Sequence, residues 1–218
     1  MLIKWLGHSC FKLTLNNGKN ILIDPYDHTV GYASVNEQAD VVLITHHHHD
    51  HDCASCVIGD FETIDAAGEY EACGAKITGI KAFHDNKQGA ERGEIVVYKI
   101  EADGLCVVHL GDIGEVPGDE FFEKLGKVDV LMVPVGGVYT VDAKADFELV
   151  NKIKSNITIP MHYMTADCNL KLSGIHEFLE LVGEEFDKSR LGHSTIEVHA
   201  NDLKKRQRIM IMEYANEK

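Results

Sequence analysis

At 218 residues the chain is long enough for one substantial domain with its own core, and a hydrophobic content of 44% is ordinary for a globular protein. Lys plus Arg number 21 against 35 Asp plus Glu, a net charge of −14, which disfavours sequence-independent binding to nucleic acid, where affinity rests on neutralising phosphates. No apolar run reaches the roughly 18 residues that span a bilayer, and the opening MLIKWLGHSCFKL alternates as a strand does, not as a signal peptide does. A cytoplasmic protein with no membrane or nucleic-acid partner is expected.

The first half reads as strand-rich. Alternating stretches at 2–6 and 10–15 lead through the Asn17-Gly18 turn signal to a strand at 21–23. Further strands are expected at 41–45, 62–64, 75–83, 94–100 and 105–110. In the second half, 119–125 reads as a helix and 128–133 as a strand, and 141–154 as an amphipathic helix capped by Thr140. A strand at 157–161, a helix at 173–186 and strands at 195–198 and 208–213 complete the chain. No linker, repeat or low-complexity tract divides it, so one α/β domain with two packed sheets covered by helices is expected. The one basic cluster, Lys204-Lys205-Arg206, reads as a solvated approach to the last strand.

Six cysteines are scattered along the chain and, with no export signal, are expected as reduced thiols. Cys53 and Cys56 form a lone C-x-x-C without the second pair that a zinc ribbon needs, which leaves a redox or metal role open.

The chemistry concentrates in VVLITHHHHDHD, where five of thirteen histidines fall within six positions. An internal position after the β-branched run Val41–Thr45 argues against both a purification tag and a solvated tract, and for a site mounted on a buried strand. His46, His48, Asp50 and His51 meet the spacing H-x-H-x-D-H. In an extended or tight loop, residues two apart point the same way, so His46 and His48 can chelate one ion while Asp50 and His51 face a second. Imidazole with carboxylate suits zinc, iron or manganese.

This motif resembles that of the metallo-β-lactamase superfamily, in which T/S-H-x-H-x-D-H follows a buried strand. ILIDPY supplies Asp24, KAFHD supplies His84, VVHLGD supplies Asp112 and IPMHY supplies His162, all in the family's order. IKWLGHSCFKL and PVGGVYT narrow the resemblance to the small single-domain hydrolases related to L-ascorbate-6-phosphate lactonase. The resemblance implies a four-layer αββα sandwich and two divalent ions, zinc first, with manganese or iron as further possibilities. It places His46, His48 and His84 on one ion, Asp50, His51 and His162 on the other, and Asp112 as the bridge. It also makes Asp24 a structural support for the histidine loop, and His8 either a residue facing the pocket or one that supports the ligands from behind.

His109 is expected to support a ligand from behind, and His47 and His49 to point outward. His28, His176, His193 and His199 read as ordinary residues. A metal-activated hydroxide would then attack a carbonyl or phosphoryl centre, with Asp50 and Asp112 as the catalytic carboxylates and Asp50 the natural proton acceptor. Gly136 and Gly137 would let backbone approach a small-molecule substrate, and the helix after Thr140 would aim its N–H groups at an anionic part of it. An iron-dependent oxidoreductase and an RNA-processing nuclease on the same fold are the competing classes.

Overall fold

The computed structural model describes residues 1–204 and 206–216. Its strands are β1 (Leu2–Gly7), β2 (Cys10–Thr14), β3 (Asn20–Ile23), β4 (Val41–Leu43), β5 (Glu62–Ile64), β6 (Gly68–Ala72) and β7 (Ala75–Phe83) in the first part. β8 (Glu94–Ala102), β9 (Leu105–His109), β10 (Val130–Pro134), β11 (Ile157–Met161), β12 (Asp187–Arg190), β13 (Thr195–Glu197) and β14 (Arg208–Ile211) follow. The α-helices are α1 (Asp119–Leu125), α2 (Ala143–Ile153) and α3 (His176–Leu181).

Two sheets result, one of order β13-β1-β2-β3-β4-β5 and one of order β12-β14-β11-β10-β9-β8-β7-β6. Alternation decides which side chains meet between them. Trp5, Phe11, Leu13, Ile21, Ile23 and Leu43 leave the six-stranded sheet on one face and join a core shared with Ile77, Tyr98, Ile100 and Val107 of the other. On the opposite face, Leu6, Leu22 and Val42 form a smaller core with Tyr26, Val30, Tyr32 and Val35. That core is closed by the chain from 26 to 39, which includes the 3-10 turn His28–Val30. The α-helices cover the eight-stranded sheet, and α2 buries Asp146, Leu149, Val150 and Ile153 at helical spacing. The architecture is the mixed α/β sandwich with two sheets and few helices.

Most expected elements are present, with four corrections. The edge strand β6 was not expected, because GEYEA is only half-buried and carries no apolar alternation. It forms by antiparallel pairing with β7 through Cys73-Gly74, both at positive φ, as a two-residue hairpin turn requires. The helix expected at 173–186 shrinks to His176–Leu181, bracketed by Gly174 and Gly183, and the chain then forms β12. The strand expected at 128–133 begins two residues later, at Val130. The cap of α2 is Asp142, whose carboxylate accepts the N–H groups of Lys144 and Ala145, and not Thr140.

Parallel pairing aligns the strand ends that matter. Ile23 of β3 pairs with Leu43 of β4, and Pro134 of β10 with Met161 of β11. His8, Asp24, His84 and His162 each directly follow the last residue of a strand, at the ends of β1, β3, β7 and β11. His46 and Asp112 come three residues beyond β4 and β9. One end of the sandwich therefore collects six chemistry-bearing side chains from both sheets.

Candidate metal centre

The chain must turn sharply to place these residues over the strand ends. His8, Asp24 and His162 all have positive φ, of 51°, 49° and 51°. Such backbone is uncommon for side chains of this size and here is over-determined by its surroundings. The His8 carbonyl accepts from both the Trp5 indole N–H (3.0 Å) and the His162 backbone N–H (3.1 Å), joining the ends of β1 and β11. Gly136 lies so close to this junction that a Cβ on it would sit 2.1 Å from the His162 carbonyl oxygen. Gly114 is equally constrained, with a Cβ falling 2.2 Å from the His84 carbonyl carbon.

Asp24 organises the histidine loop. Its carboxylate accepts the Thr45 backbone N–H (2.8 Å), the Thr45 hydroxyl (2.8 Å) and His51 Nδ1–H (3.0 Å). Thr45 Oγ1 in turn lies 3.0 Å from His46 Nδ1. With these Nδ1 atoms engaged, both His46 and His51 present Nε2 to the centre, the tautomer that an outer carboxylate imposes on a ligating histidine. Tyr98 of β8 ties the two sheets below the loop, its hydroxyl contacting the carbonyls of Ile44 (3.0 Å) and Ile64 (2.8 Å). His109 donates from Nε2 to Ser9 O (2.8 Å) and accepts the Gly111 N–H at Nδ1 (3.1 Å), holding the turn that delivers Asp112.

The donors fall into groups whose ligating atoms all lie within 4.8 Å of one another: His46, His48 and His84; His8, Asp50, His51 and His162; and His46, His51 and Asp112. Asp112 Oδ2 lies 3.3 Å from His51 Nε2, 3.6 Å from His84 Nε2 and 3.1 Å from His162 Nε2, between the first two groups. Burial opposes ionisation of Asp112, yet the neighbouring His162 and His51 hold its carboxyl well below the usual range. Burial alone would lower the His51 pKa, and Asp112 followed by Asp24 raises it well above normal. His8, desolvated and beside His162, drops to about 4.

These residues fit a metal. His46 Nε2, Asp112 Oδ1 and His162 Nδ1 are buried without a hydrogen-bond partner. Each such atom costs about 1–3 kcal/mol if left unsatisfied, and imidazole and carboxylate lone pairs converging within 4.8 Å are what a divalent cation satisfies.

A model of the beta-lactamase superfamily domain matches residues 2–162. A UPF0173 metal-dependent hydrolase of Thermoplasma volcanium is 33% identical over 191 residues, covering 76% of this chain and 84% of its own. The chain belongs to this family of metal-dependent hydrolases. A Pyrococcus furiosus UPF0173 protein is also 33% identical and aligns with 94% of the chain and 97% of itself. Among solved structures, a Thermotoga maritima protein provisionally described as a Zn-dependent hydrolase of the metallo-β-lactamase superfamily superposes with a TM-score of 0.80 at 34% identity, covering 98% of this chain and 99% of that one.

The structure moves the expected substrate-facing residues of this hydrolase. His8 is fully buried behind the donors, with Nε2 3.2 Å from Asp50 Oδ2 and 3.3 Å from His51 Nε2, and does not face the cavity. Gly136 is spent on the close approach to the His162 backbone, while Gly137 turns at φ 65° in open space. Among the described residues Thr140 Oγ1 bonds only to Val141 O, at 3.4 Å, and the N–H groups of Lys144 and Ala145 in α2 are taken by Asp142. The cavity at the centre, of about 300 Å³, is lined by His48, His49, Asp50, His84, Arg92, Asp112, Tyr139 and Leu170. Sequence reading missed Arg92, Tyr139 and Leu170. The available signal was the long loop that leaves His84 directly, with Asp85 at its start and glycines at 89 and 93.

Cys53 and Cys56 are joined as a disulfide and are not free thiols, because the 3-10 turn Ala54–Cys56 brings their Cα atoms to 5.6 Å. Lys205 of the basic cluster lies outside the described residues. Among the described residues no helix is long and apolar enough to cross a membrane.

Proposed function

We propose that the chain hydrolyses a small lactone, ester or phosphoester with two divalent ions, held by His46, His48 and His84 on one side, Asp50, His51 and His162 on the other, and Asp112 between. The observation that carries this reading is the position of Asp112 Oδ2, within 3.6 Å of imidazoles from both groups. Zinc suits the imidazole-rich set, and manganese or iron suit the same donors. When bound, such ions lower the pKa of water to about 7 and polarise the oxygen of the scissile group.

The chain's own residues supply the rest. Asp50 borders the cavity while His8 holds its Oδ2 at 3.2 Å. Burial works against its ionisation, but the His8 hydrogen bond and then the His51 charge keep its carboxyl well below the usual range, so it stands ionised at the cavity wall. As the water oxygen bonds to the carbonyl carbon or phosphorus, Asp50 takes the proton. It returns that proton to the leaving oxygen as the C–O or P–O bond breaks. A cavity of about 300 Å³ favours a small-molecule substrate, and a net charge of −14 weighs against a nucleic acid.

The test is elemental analysis of wild type beside Asp112→Ala, with hydrolysis of bis-p-nitrophenyl phosphate and a lactone panel. The expected result is near two zinc or manganese ions per chain, falling in the variant together with a loss of turnover on the order of 10³-fold. Stoichiometric iron without hydrolysis would move the protein to the oxidoreductases of this fold. Absence of metal from both proteins would sink the centre.

A further inference from the structure

The loop between β7 and β8 starts at His84, a metal-centre residue, and closes back on its backbone. Asp85, next to His84, turns its carboxylate inward: Oδ1 accepts the N–H groups of Lys87 (2.8 Å) and Gly89 (3.0 Å), and Oδ2 those of Glu91 (2.9 Å) and Arg92 (2.8 Å). Burial would raise this carboxyl, yet the backbone amides, that of Arg92 foremost, hold it down at about 2. The loop closes where the His84 N–H bonds to Gly93 O at 3.0 Å. The Arg92 backbone is thereby fixed relative to His84.

The Arg92 guanidinium sits 5.6 Å from the centroid of the Tyr139 ring and donates to the Tyr139 carbonyl at 3.5 Å. A ring face steadies the cation without neutralising it. The adjacent lysines are paired, Lys81 with Glu94 and Lys87 with Glu91. Among the described residues no carboxylate lies within ion-pair distance of the Arg92 guanidinium. In a chain of net charge −14, a cation without an acidic partner is thus held on the wall that also carries His48, Asp50, His84 and Asp112.

We propose that Arg92, backed by Tyr139, seats an anionic group of the substrate, a carboxylate or a phosphate, while the bond to be cleaved lies over the metal centre. The planar guanidinium presents paired donors that match either oxyanion. The inference rests on the hydrolase reading above for the identity of the ligand as substrate, and its test separates the two.

Arg92→Ala and Arg92→Lys are compared with wild type, all loaded with manganese and matched for metal content and melting temperature. Because the Arg92 side chain is exposed, its removal leaves the fold standing. Calorimetric titration with succinate and with inorganic phosphate reads binding without turnover. Steady-state kinetics on p-nitrophenyl acetate and mono-p-nitrophenyl succinate reads the charge preference. Arg92→Ala is expected to bind at least one anion about tenfold more weakly, as the loss of a charge-assisted hydrogen bond implies. It should raise KM about tenfold for the anionic ester and little for the neutral one, with Arg92→Lys between. The anion whose binding falls more distinguishes carboxylate from phosphate. Equal affinity in wild type and Arg92→Ala, or no binding of either anion by wild type, overturns the proposal. Should wild type cleave neither ester while the calorimetric difference persists, the hydrolase reading fails and the anion seat stands.

Discussion

The two outer groups of donors in the candidate centre, the halves of the proposed two-ion site, are built differently. His46, His48 and His84 are three imidazoles, and His48 is the most open of them, at the cavity wall. His8, Asp50, His51 and His162 include a carboxylate, and their three histidines are fully buried. The enclosed half carries the carboxylate and is shielded from water, so its field favours a divalent cation more. The open half, with its weaker field and direct access, is where exchange and substrate entry belong. The enclosed half is expected to fill first and the open half to exchange faster with chelator.

The sharpest way to break this comparison is to remove one donor from the open half. His48→Ala should lose about one metal equivalent per chain and keep the other, because the open side is left with two imidazoles and a carboxylate it shares with its neighbour. Loss of both ions by elemental analysis would show that the halves do not bind separately. Asp24→Ala strikes the support instead, freeing His51 Nδ1 directly and His46 only through Thr45. It should weaken metal binding roughly 10–100-fold, as the loss of such outer partners does, with the enclosed half suffering more. Equal weakening in both halves by competitive chelator titration would refute that ordering.

Tyr98→Phe is a smaller perturbation. It strips the hydroxyl from the Ile44 and Ile64 carbonyls below the histidine loop, at a cost of about 1–3 kcal/mol. Thermal denaturation should show a melting temperature lower by roughly 2–4 °C per kcal/mol, with metal stoichiometry retained.

The mildest change serves as a control outside both halves. Asp146 lies on the buried face of α2 with both carboxylate oxygens unpartnered, and burial, then the nearby Asp142 charge, raises its pKa well above normal. The folded chain therefore keeps a proton that the unfolded chain sheds near pH 4, and stability falls as pH rises above that point. Asp146→Asn should melt at least about 2 °C higher than wild type at neutral pH. The gap should close as pH falls toward 4 and leave metal content unchanged. A constant gap across pH would mean that the carboxyl does not titrate on unfolding.

Much of the centre was legible because its residues are close in sequence or follow apolar strands. His46, His48, Asp50 and His51 form one local motif, and Asp24, His84, Asp112 and His162 each follow a β-branched or apolar run that reads as a strand. The hairpin at Asn17-Gly18 declared itself through turn chemistry, and Gly18 indeed turns at φ 82°. The paired Cys53 and Cys56 were misjudged because compartment reasoning says nothing about a local turn that brings two Cα atoms to 5.6 Å. β6 and β12 were missed since edge strands with polar, half-exposed residues carry no burial period and exist through their partners.

By itself, then, the sequence determined the ligand inventory, the sheet-forming segments and the family, because local spacing and hydrophobic period are written along the chain. Only the tertiary structure decided which side chains share a wall. Gly136 serves the close approach to His162 and His8 stands behind Asp50, while Arg92 and Tyr139 meet at the cavity from positions 47 residues apart. Those contacts follow from two sheets packing at one end, a geometry that no stretch of sequence encodes locally.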